Sequence, residues 1–138
     1  MIQIVDGDFS IDEVVKGTRR PSMGAVVLFL GTVRDMTRGN TVEKLEFEAD
    51  NELAVKELQQ IREEAIEKFD VTDVSIVHRT GVLLPSENIV IIAVGASHRD
   101  QAFNGCRYAI EELKKRAMIW KKEHFEDKSY WVGEQTNE

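Results

Sequence analysis

Residues 98–122 gather side chains that can bind anions or move protons. This stretch holds seven Lys or Arg residues against three acidic ones, a local net charge of +4, whereas the whole chain carries −7. A cationic segment in an acidic protein predicts a site for a local anionic ligand rather than a general affinity for polyanions. The overall acidity also argues against sequence-independent nucleic-acid binding, which depends on neutralising phosphates.

His98 and Arg99 lie where a strongly apolar segment gives way to a helical pattern. A helix N-terminus presents unpaired N–H groups and a partial positive charge, and both favour an oxyanion. An imidazole and a guanidinium at that point predict a phosphate or carboxylate site. In the structural alternative, Arg99 pairs with Asp100 and His98 caps a turn. The local sequence leaves both interpretations open.

Lys114 and Lys121 are seven residues apart, so they share one face if the helix continues unbroken between them. A partly desolvated lysine beside other cations can have a lowered pKa and act as a base or nucleophile. The alternative is ordinary: lysines at a helix C-terminus complement the helix dipole. From these residues alone the structural interpretation is favoured.

Other residues with chemical potential are less distinctive. Arg34 follows an apolar strand, so it either points into a site or is the first solvated residue of a loop. His78 and Arg79 have the same ambiguity, but Gly81 and Pro85 favour a turn there. Cys106 is expected to be a small buried core residue. The three histidines lack metal-ligand spacing, and phosphate-binding glycine motifs are absent from the sequence.

Length and composition indicate one globular domain. With 138 residues and 42% hydrophobic residues, the chain can form a single core, predicted to span 1–133, with 134–138 as a disordered tail. We find no bilayer-spanning apolar run and no signal-peptide pattern. A single cysteine excludes an internal disulfide and a cysteine-rich zinc site. The expected compartment is therefore the cytoplasm.

The hydrophobic pattern predicts an α+β fold with mixed or antiparallel strands, two longer helices and one short N-terminal helix. Strands are expected near 2–5, 24–33, 45–49, 74–77, 82–84, 89–96 and 130–132, with 24–33 buried and 89–96 central. Residues 36–40 are expected to form a turn or mobile loop.

The helices are predicted from caps and apolar stripes. Ser10 caps the short helix, which should stop at Gly17, and Asn51 can cap the second. An apolar stripe on the second helix consists of Ala54, Leu58, Ile61, Ala65 and Phe69. The buried face expected for the main helix consists of Ala102, Phe103, Cys106, Ile110, Leu113 and Ala117.

Several short motifs follow one another in a fixed order. They are Phe29-Leu30-Gly31-Thr32-Val33-Arg34-Asp35, Leu45-Glu46-Phe47-Glu48-Ala49, His78-Arg79-Thr80-Gly81, Ser97-His98-Arg99 with Ala102-Phe103, Leu113-Lys114-Lys115-Arg116-Ala117 and Trp120-Lys121-Lys122-Glu123. Together they resemble the large, catalytic subunit of molybdopterin synthase. Each motif alone is weak, but the ordered set covers nearly the whole chain, from about 24 to 132.

The resemblance implies an α/β-hammerhead fold and a sulfurtransferase of molybdenum cofactor biosynthesis. Sulfur would pass from the C-terminal thiocarboxylate of a small ubiquitin-like carrier subunit, which ends in Gly-Gly, to cyclic pyranopterin monophosphate. The product would be the molybdopterin dithiolene. A homodimer with one carrier at each end, a heterotetramer, is implied. The resemblance implies no redox cofactor and no metal, because the sulfur arrives already activated.

The resemblance also implies the site. Lys114 and Lys121 would be catalytic, and Arg34, His98 and Arg99 are expected to converge on the substrate's phosphate or pterin end, within one subunit or across two. The substrate-binding positions carried over are Thr32, Val33, Arg34, His98, Arg99, Lys114, Lys121, Lys122 and Glu123.

The sequence departs from the family pattern at three places. Met118 stands where many members have proline, which predicts that the main helix runs further toward Trp120. Asp50-Asn51 replaces a common aromatic, and Ser86 replaces a usual glycine. Two other functions stay open: a non-catalytic dimeric scaffold that binds the carrier tail or an anionic metabolite, and an unrelated transferase that uses Lys114 as a Schiff base. The presence of both Lys114 and Lys121 argues against the scaffold.

Overall fold

The structure is a computed structural model that describes residues 1–126 and 128–132. The predicted tail, 134–138, lies outside the described residues. The elements, in order, are β1 (Ile2–Val5), α1 (Ile11–Thr18), β2 (Ala25–Thr32), β3 (Met36–Thr37), β4 (Asn40–Ala49), α2 (Asn51–Phe69), β5 (Asp73–Arg79), β6 (Gly81–Leu83), β7 (Asn88–Ala96), α3 (Arg99–Arg116), β8 (Ile119–Phe125) and β9 (Ser129–Trp131). The predicted α+β class, with two longer helices and one short one, is confirmed. Within the described part, none of the helices is long and apolar enough to span a bilayer.

The first sheet has the strand order β1-β5-β7-β2, in which β1 and β5 are parallel and the other pairs are antiparallel. The central position of β7 is confirmed, and it is buried from Val90 onward. The prediction that β2 is buried is wrong. It forms an edge of the sheet, and Leu28 and Leu30 are 43% and 39% exposed. An apolar run does not distinguish a central strand from an edge strand whose outer face lacks a covering layer within the same chain.

Helix α2 confirms the apolar stripe, since Ala54, Leu58, Ile61 and Ala65 are fully buried. The predicted Asn51 cap is wrong. The N-cap is Asp50, whose side chain accepts a hydrogen bond from the Leu53 N–H, and Asn51 is the first residue of the helix. Helix α1 begins as predicted, because Ser10 Oγ accepts from the Glu13 N–H.

Helix α3 packs against the same sheet through small residues. Its buried face consists of Ala102, Gly105, Cys106, Ala109 and Leu113. A Cβ at Gly105 would lie only 2.8 Å from Val71 Cγ1, so a glycine permits this close approach. The prediction that Phe103 is buried is wrong: it is 59% exposed, because the buried stripe runs through positions 102, 106 and 109 instead. Cys106 is buried as expected, and burial raises the pKa of its thiol to about 11.

The second sheet has the order β3-β4-β8-β9, with β6 also paired to β4. Its small core contains Val33, Val42, Leu45, Phe47, Leu83 and Phe125. The loop expected at 36–40 is a tight hairpin turn, in which Arg38 and Gly39 have φ of 52° and 81°. The predicted extension of the main helix is wrong. Helix α3 ends at Arg116, Met118 adopts a left-handed φ of 59°, and the chain continues as β8.

Candidate functional site

A cavity of about 620 Å³ lies where the C-terminal end of α3 meets both sheets. Apolar side chains of β4 and β7, among them Phe47 and Val90, form part of its wall. Cations at its rim come from Arg34 and from the end of α3. The lining residues are Phe29, Leu30, Gly31, Thr32, Arg34, Thr37, Leu45, Phe47, His78, Ile89, Val90, Ile110, Leu113, Lys114, Lys115, Arg116, Ala117, Met118, Ile119, Trp120, Lys121, Glu123 and Val132.

Lys114 and Lys121 both line this cavity. The reason given by the sequence, a shared helical face, is wrong. Lys114 lies in the last turn of α3, whereas Lys121 lies on β8, after the chain reverses at Met118. Lys114 is exposed and Lys121 is half-buried. Two cations from different elements can therefore act on one ligand in the cavity.

Glu123 adds a carboxylate to this cationic cavity. It lies on the same face of β8 as Lys121, because side chains alternate along a strand. It is only 4% exposed, and its Oε2 accepts a hydrogen bond from Thr37 Oγ1 at 3.3 Å. Lys122 points to the other side, where its Nζ lies 5.5 Å from the centre of the Trp131 ring. Lys122 therefore does not line the cavity.

Of the three positions that follow β2's apolar run, two line the cavity. Thr32 and Arg34 do so, and both are exposed. Val33 lies between them and packs instead in the small core of the second sheet, where it is 4% exposed. Its backbone N–H donates to the carbonyl of Glu87, which fixes the turn that presents its two neighbours.

His98 and Arg99 do not reach this cavity. They lie at the opposite end of α3, about 22 Å from Lys114 at the rise of an α-helix. Both side chains are exposed. The backbone N–H of His98 donates to Gln101 Oε1, and Gln101 Nε2 donates to Asp70. Arg34, His98 and Arg99 thus do not converge within one copy of the chain.

His78 lines the cavity, although its sequence context favoured a turn over a site at this position. The predicted turn at His78 and Arg79 is wrong, because both belong to β5 and are buried. His78 Nδ1 lies 2.7 Å from the carbonyl oxygen of Arg79, and its ring makes an edge contact with Phe47 at 5.3 Å between centroids. Burial lowers the pKa of His78 to about 4. The ring is therefore neutral at physiological pH. The apolar residues predicted a strand over 74–77, which ended too early to include His78 and Arg79.

Arg116 fixes the end of α3 that carries Lys114. Its guanidinium binds Glu57 at 3.1 Å, Glu64 at 2.8 Å and Glu112 at 2.9 Å, which ties α3 to α2. Tyr108 also donates to Glu64 at 2.6 Å. Hydrogen bonds from Arg116 and Tyr108 lower the pKa of Glu64, and the bond to Glu64 raises the pKa of Tyr108 to about 12. In the described residues, acidic and thiol or imidazole side chains do not cluster in a metal-binding group.

The fold and cavity define a small α+β protein with two lysines in one cavity. Proteins similar to it in sequence and in fold are known. Residues 4–116 match the family described as MoaE protein. The molybdopterin synthase catalytic subunit of Pyrococcus abyssi is 42% identical over 125 residues, covering 91% of this chain and 84% of that protein. The corresponding Bacillus subtilis subunit is 39% identical over 133 residues, covering 96% and 85%. The chain belongs to the MoaE family.

Solved structures agree with this assignment. The crystal structure of molybdopterin synthase from Staphylococcus aureus has a TM-score of 0.91 and 44% identity, and the match covers 94% of this chain and 95% of that one. A protein-protein complex of subunits 1 and 2 of molybdopterin-converting factor from Helicobacter pylori matches with a TM-score of 0.78. At 22% identity, that second likeness shows the fold alone.

Proposed function

We propose that this chain is the catalytic subunit of a molybdopterin synthase. It transfers sulfur from the C-terminal thiocarboxylate of a small carrier protein to cyclic pyranopterin monophosphate. Two carrier molecules each supply one sulfur and are left as carboxylates after hydrolysis, and the product is the dithiolene. The observation that carries this proposal is the presence of both Lys114 and Lys121 in one cavity of a MoaE-family chain. We assign the reaction to the cytoplasm and the catalytic domain to residues 1–133.

The cavity's charges suit this reaction. Sulfur transfer develops negative charge on the carrier's acyl oxygen, and the pterin substrate brings a phosphate. Cations fixed near those atoms stabilise the transition state without reorganising. Lys114, at the exposed rim, is assigned to the carrier's C-terminal carbonyl, where it polarises or transiently accepts the acyl group or moves a proton. Lys121, deeper on β8, orients the substrate, and the buried Glu123 balances the local positive charge.

His98 and Arg99 have a place in this reaction if a second copy of the chain supplies them. We propose a homodimer in which these residues from one copy complete the cavity of the other. The exposed apolar residues Leu28 and Leu30 on edge strand β2, and Phe103 beside the N-terminus of α3, give each copy unpartnered apolar surface. One carrier for each copy then makes a heterotetramer. Light scattering that finds a stable monomer at micromolar concentration would count against this assembly.

Reconstitution tests the proposed reaction. The purified chain is mixed with thiocarboxylated carrier and cyclic pyranopterin monophosphate, and dithiolene product is measured by mass spectrometry. We expect product to form, with loss of sulfur from the carrier tail. Binding of both partners without any product would instead favour the non-catalytic scaffold. Trapping of a substrate adduct on Lys114 with borohydride would favour the Schiff-base transferase.

A further inference from the structure

The described polar side chains that line the cavity are unevenly divided between hydrogen-bond donors and acceptors. Five are cations, which can only donate: Arg34, Lys114, Lys115, Arg116 and Lys121. Acceptors are fewer, and the Glu123 carboxylate already receives a hydrogen bond from Thr37. A ligand with both a phosphate and a nitrogen heterocycle needs acceptors for its N–H groups as well as cations for its phosphate. The acceptors therefore decide where the heterocycle sits.

His78 presents a fixed acceptor to this cavity. A carbonyl oxygen only accepts, so the 2.7 Å contact between Nδ1 and the Arg79 carbonyl places the ring proton on Nδ1. In the neutral ring, Nε2 then carries a lone pair. His78 is only 4% exposed but lines the cavity, so a ligand reaches its ring from the cavity side. Burial also lowers the pKa of His78 to about 4, which keeps this acceptor available at physiological pH.

His78 contacts the apolar wall of the cavity next to strand β8, which carries Lys121. Phe47 is the direct cross-strand partner of Lys121 in the β4–β8 ladder, so their side chains lie on the same face of the sheet. The Phe47 ring in turn contacts the His78 ring at 5.3 Å. A flat ring placed against the Phe47–His78 wall would therefore lie near Lys121.

We propose that His78 is a substrate-binding residue that accepts a hydrogen bond from an N–H group of the pterin through Nε2. This inference rests on the proposed function, and it extends it by assigning the heterocycle to the Phe47–His78 wall and the phosphate to the cationic rim. The structural alternative is that His78 only fills the core beside Phe47.

Two matched variants separate these roles. His78→Asn keeps a donor near Nδ1 for the Arg79 carbonyl but has no acceptor near Nε2, whereas His78→Gln can place an amide oxygen near Nε2. We expect His78→Asn to raise KM for the pterin at least tenfold while KM for the carrier is unchanged, and His78→Gln to recover most of that loss. A core-filling role predicts that both variants change thermal stability but leave KM for the pterin as in the wild type.

The unmodified protein gives an independent readout if either variant fails to fold. ¹⁵N NMR of histidine-labelled chain follows the unprotonated Nε2 signal of His78 during titration with cyclic pyranopterin monophosphate. We expect that signal to shift on binding, and a signal unchanged at saturation would overturn the inference. Wild-type turnover separates the two possible failures. Active wild type with an unchanged KM in His78→Asn overturns this inference alone, whereas inactive wild type overturns the proposed function and the inference with it.

Discussion

The two ends of helix α3 are both cationic, but their surroundings differ. At the C-terminal end, Lys114 lines a cavity and Arg116 is held by three glutamates. At the N-terminal end, His98 and Arg99 are exposed and lie outside that cavity. A guanidinium tied by several ion pairs keeps the backbone around it in place, so Lys114, although itself exposed, projects from a fixed helix end.

This difference separates a preorganised part of the site from a part that needs another surface. Preorganised charges stabilise a transition state most effectively, which suits the end that carries Lys114. The other end is suited to contact with a ligand or a second subunit. The following predictions test this division, from the largest expected effect to the smallest.

Replacing Lys114 should have the largest effect. Removing one preorganised charge from a transition state typically costs about 100-fold or more in rate, so we expect a loss of that order in Lys114→Ala. Lys121→Ala should lose less. Stability should change little, because Lys114 is exposed. The measurement is single-turnover sulfur transfer with both partners saturating. Arg107→Ala is the matched control, since Arg107 is an exposed cation on the same helix that does not line the cavity. Near-normal transfer in Lys114→Ala would contradict a catalytic role and would mean that Lys114 is an ordinary charge at a helix end.

Replacing Arg99 should weaken substrate binding rather than the folded state. A charged hydrogen bond contributes about 1.5–3 kcal/mol, so Arg99→Ala should raise the dissociation constant for the pterin phosphate roughly 10- to 100-fold. Calorimetric titration measures this directly. If affinity and turnover both match the wild type, the N-terminal end of α3 plays no part in the site.

Replacing Arg116 tests the rigidity of the C-terminal end. Arg116→Ala removes two ion pairs between α2 and α3 and a third within α3, and we expect it to lower the free energy of unfolding by about 1–3 kcal/mol. Urea unfolding gives that value without screening the ion pairs. An unchanged midpoint and slope of the urea unfolding curve would mean that the Arg116 ion pairs do not stabilise the helix end.

The Arg116–Glu64 ion pair also predicts that the stability of the fold depends on pH. Arg116 lowers the pKa of Glu64 below its usual value of 4.5, so the stabilisation is fully present above pH 4.5 and is lost as pH falls through the lowered pKa. Wild type should therefore be more stable than Glu64→Gln near pH 7, and the difference should shrink in acid. A difference that grows as pH falls would have the opposite sign and contradict this assignment.

Replacing Tyr108, midway between the two ends, should have the smallest effect. Tyr108→Phe removes one hydrogen bond to Glu64, which costs about 0.5–1.5 kcal/mol of stability. Turnover should stay within twofold of the wild type, since the tyrosine does not line the cavity. A large loss of turnover would show that the middle of α3 also controls the site.

The elements with strong, uninterrupted patterns could be predicted from the sequence. The apolar stripe of α2 recurs with the helical period, and β7 is a short continuous apolar run rich in Ile and Val, so the type and position of both were correct. The two lysines that line the cavity were singled out by the family motifs, whereas their own placement favoured an ordinary helix-end role. The residues that join α3 to β8 could not be predicted. Met118 takes a left-handed φ that glycine or asparagine would have signalled, and the lysine pair of β8 resembles a helix end.

The positions that were predicted incorrectly, those of His78, Phe103, His98 and Arg99, depend on tertiary packing. His78 lines the cavity beside Phe47, which comes from another strand. Phe103 was assigned to the core although its position is one residue away from the buried stripe. His98 and Arg99 begin the same helix that carries Lys114, but the length of α3 separates them from it. Local patterns do not contain these distances.

A mixed dimer tests most directly whether the two ends of α3 act together across two copies. Differently tagged Lys114→Ala and Arg99→Ala chains are co-expressed, and the dimer that carries one of each is purified. In that dimer, one cavity would combine an intact Lys114 with the partner copy's intact Arg99, and the other would have neither. We predict about half of the wild-type rate of sulfur transfer from the mixed dimer, although each variant homodimer is strongly impaired. A mixed dimer no more active than the average of the two homodimers would contradict a shared site.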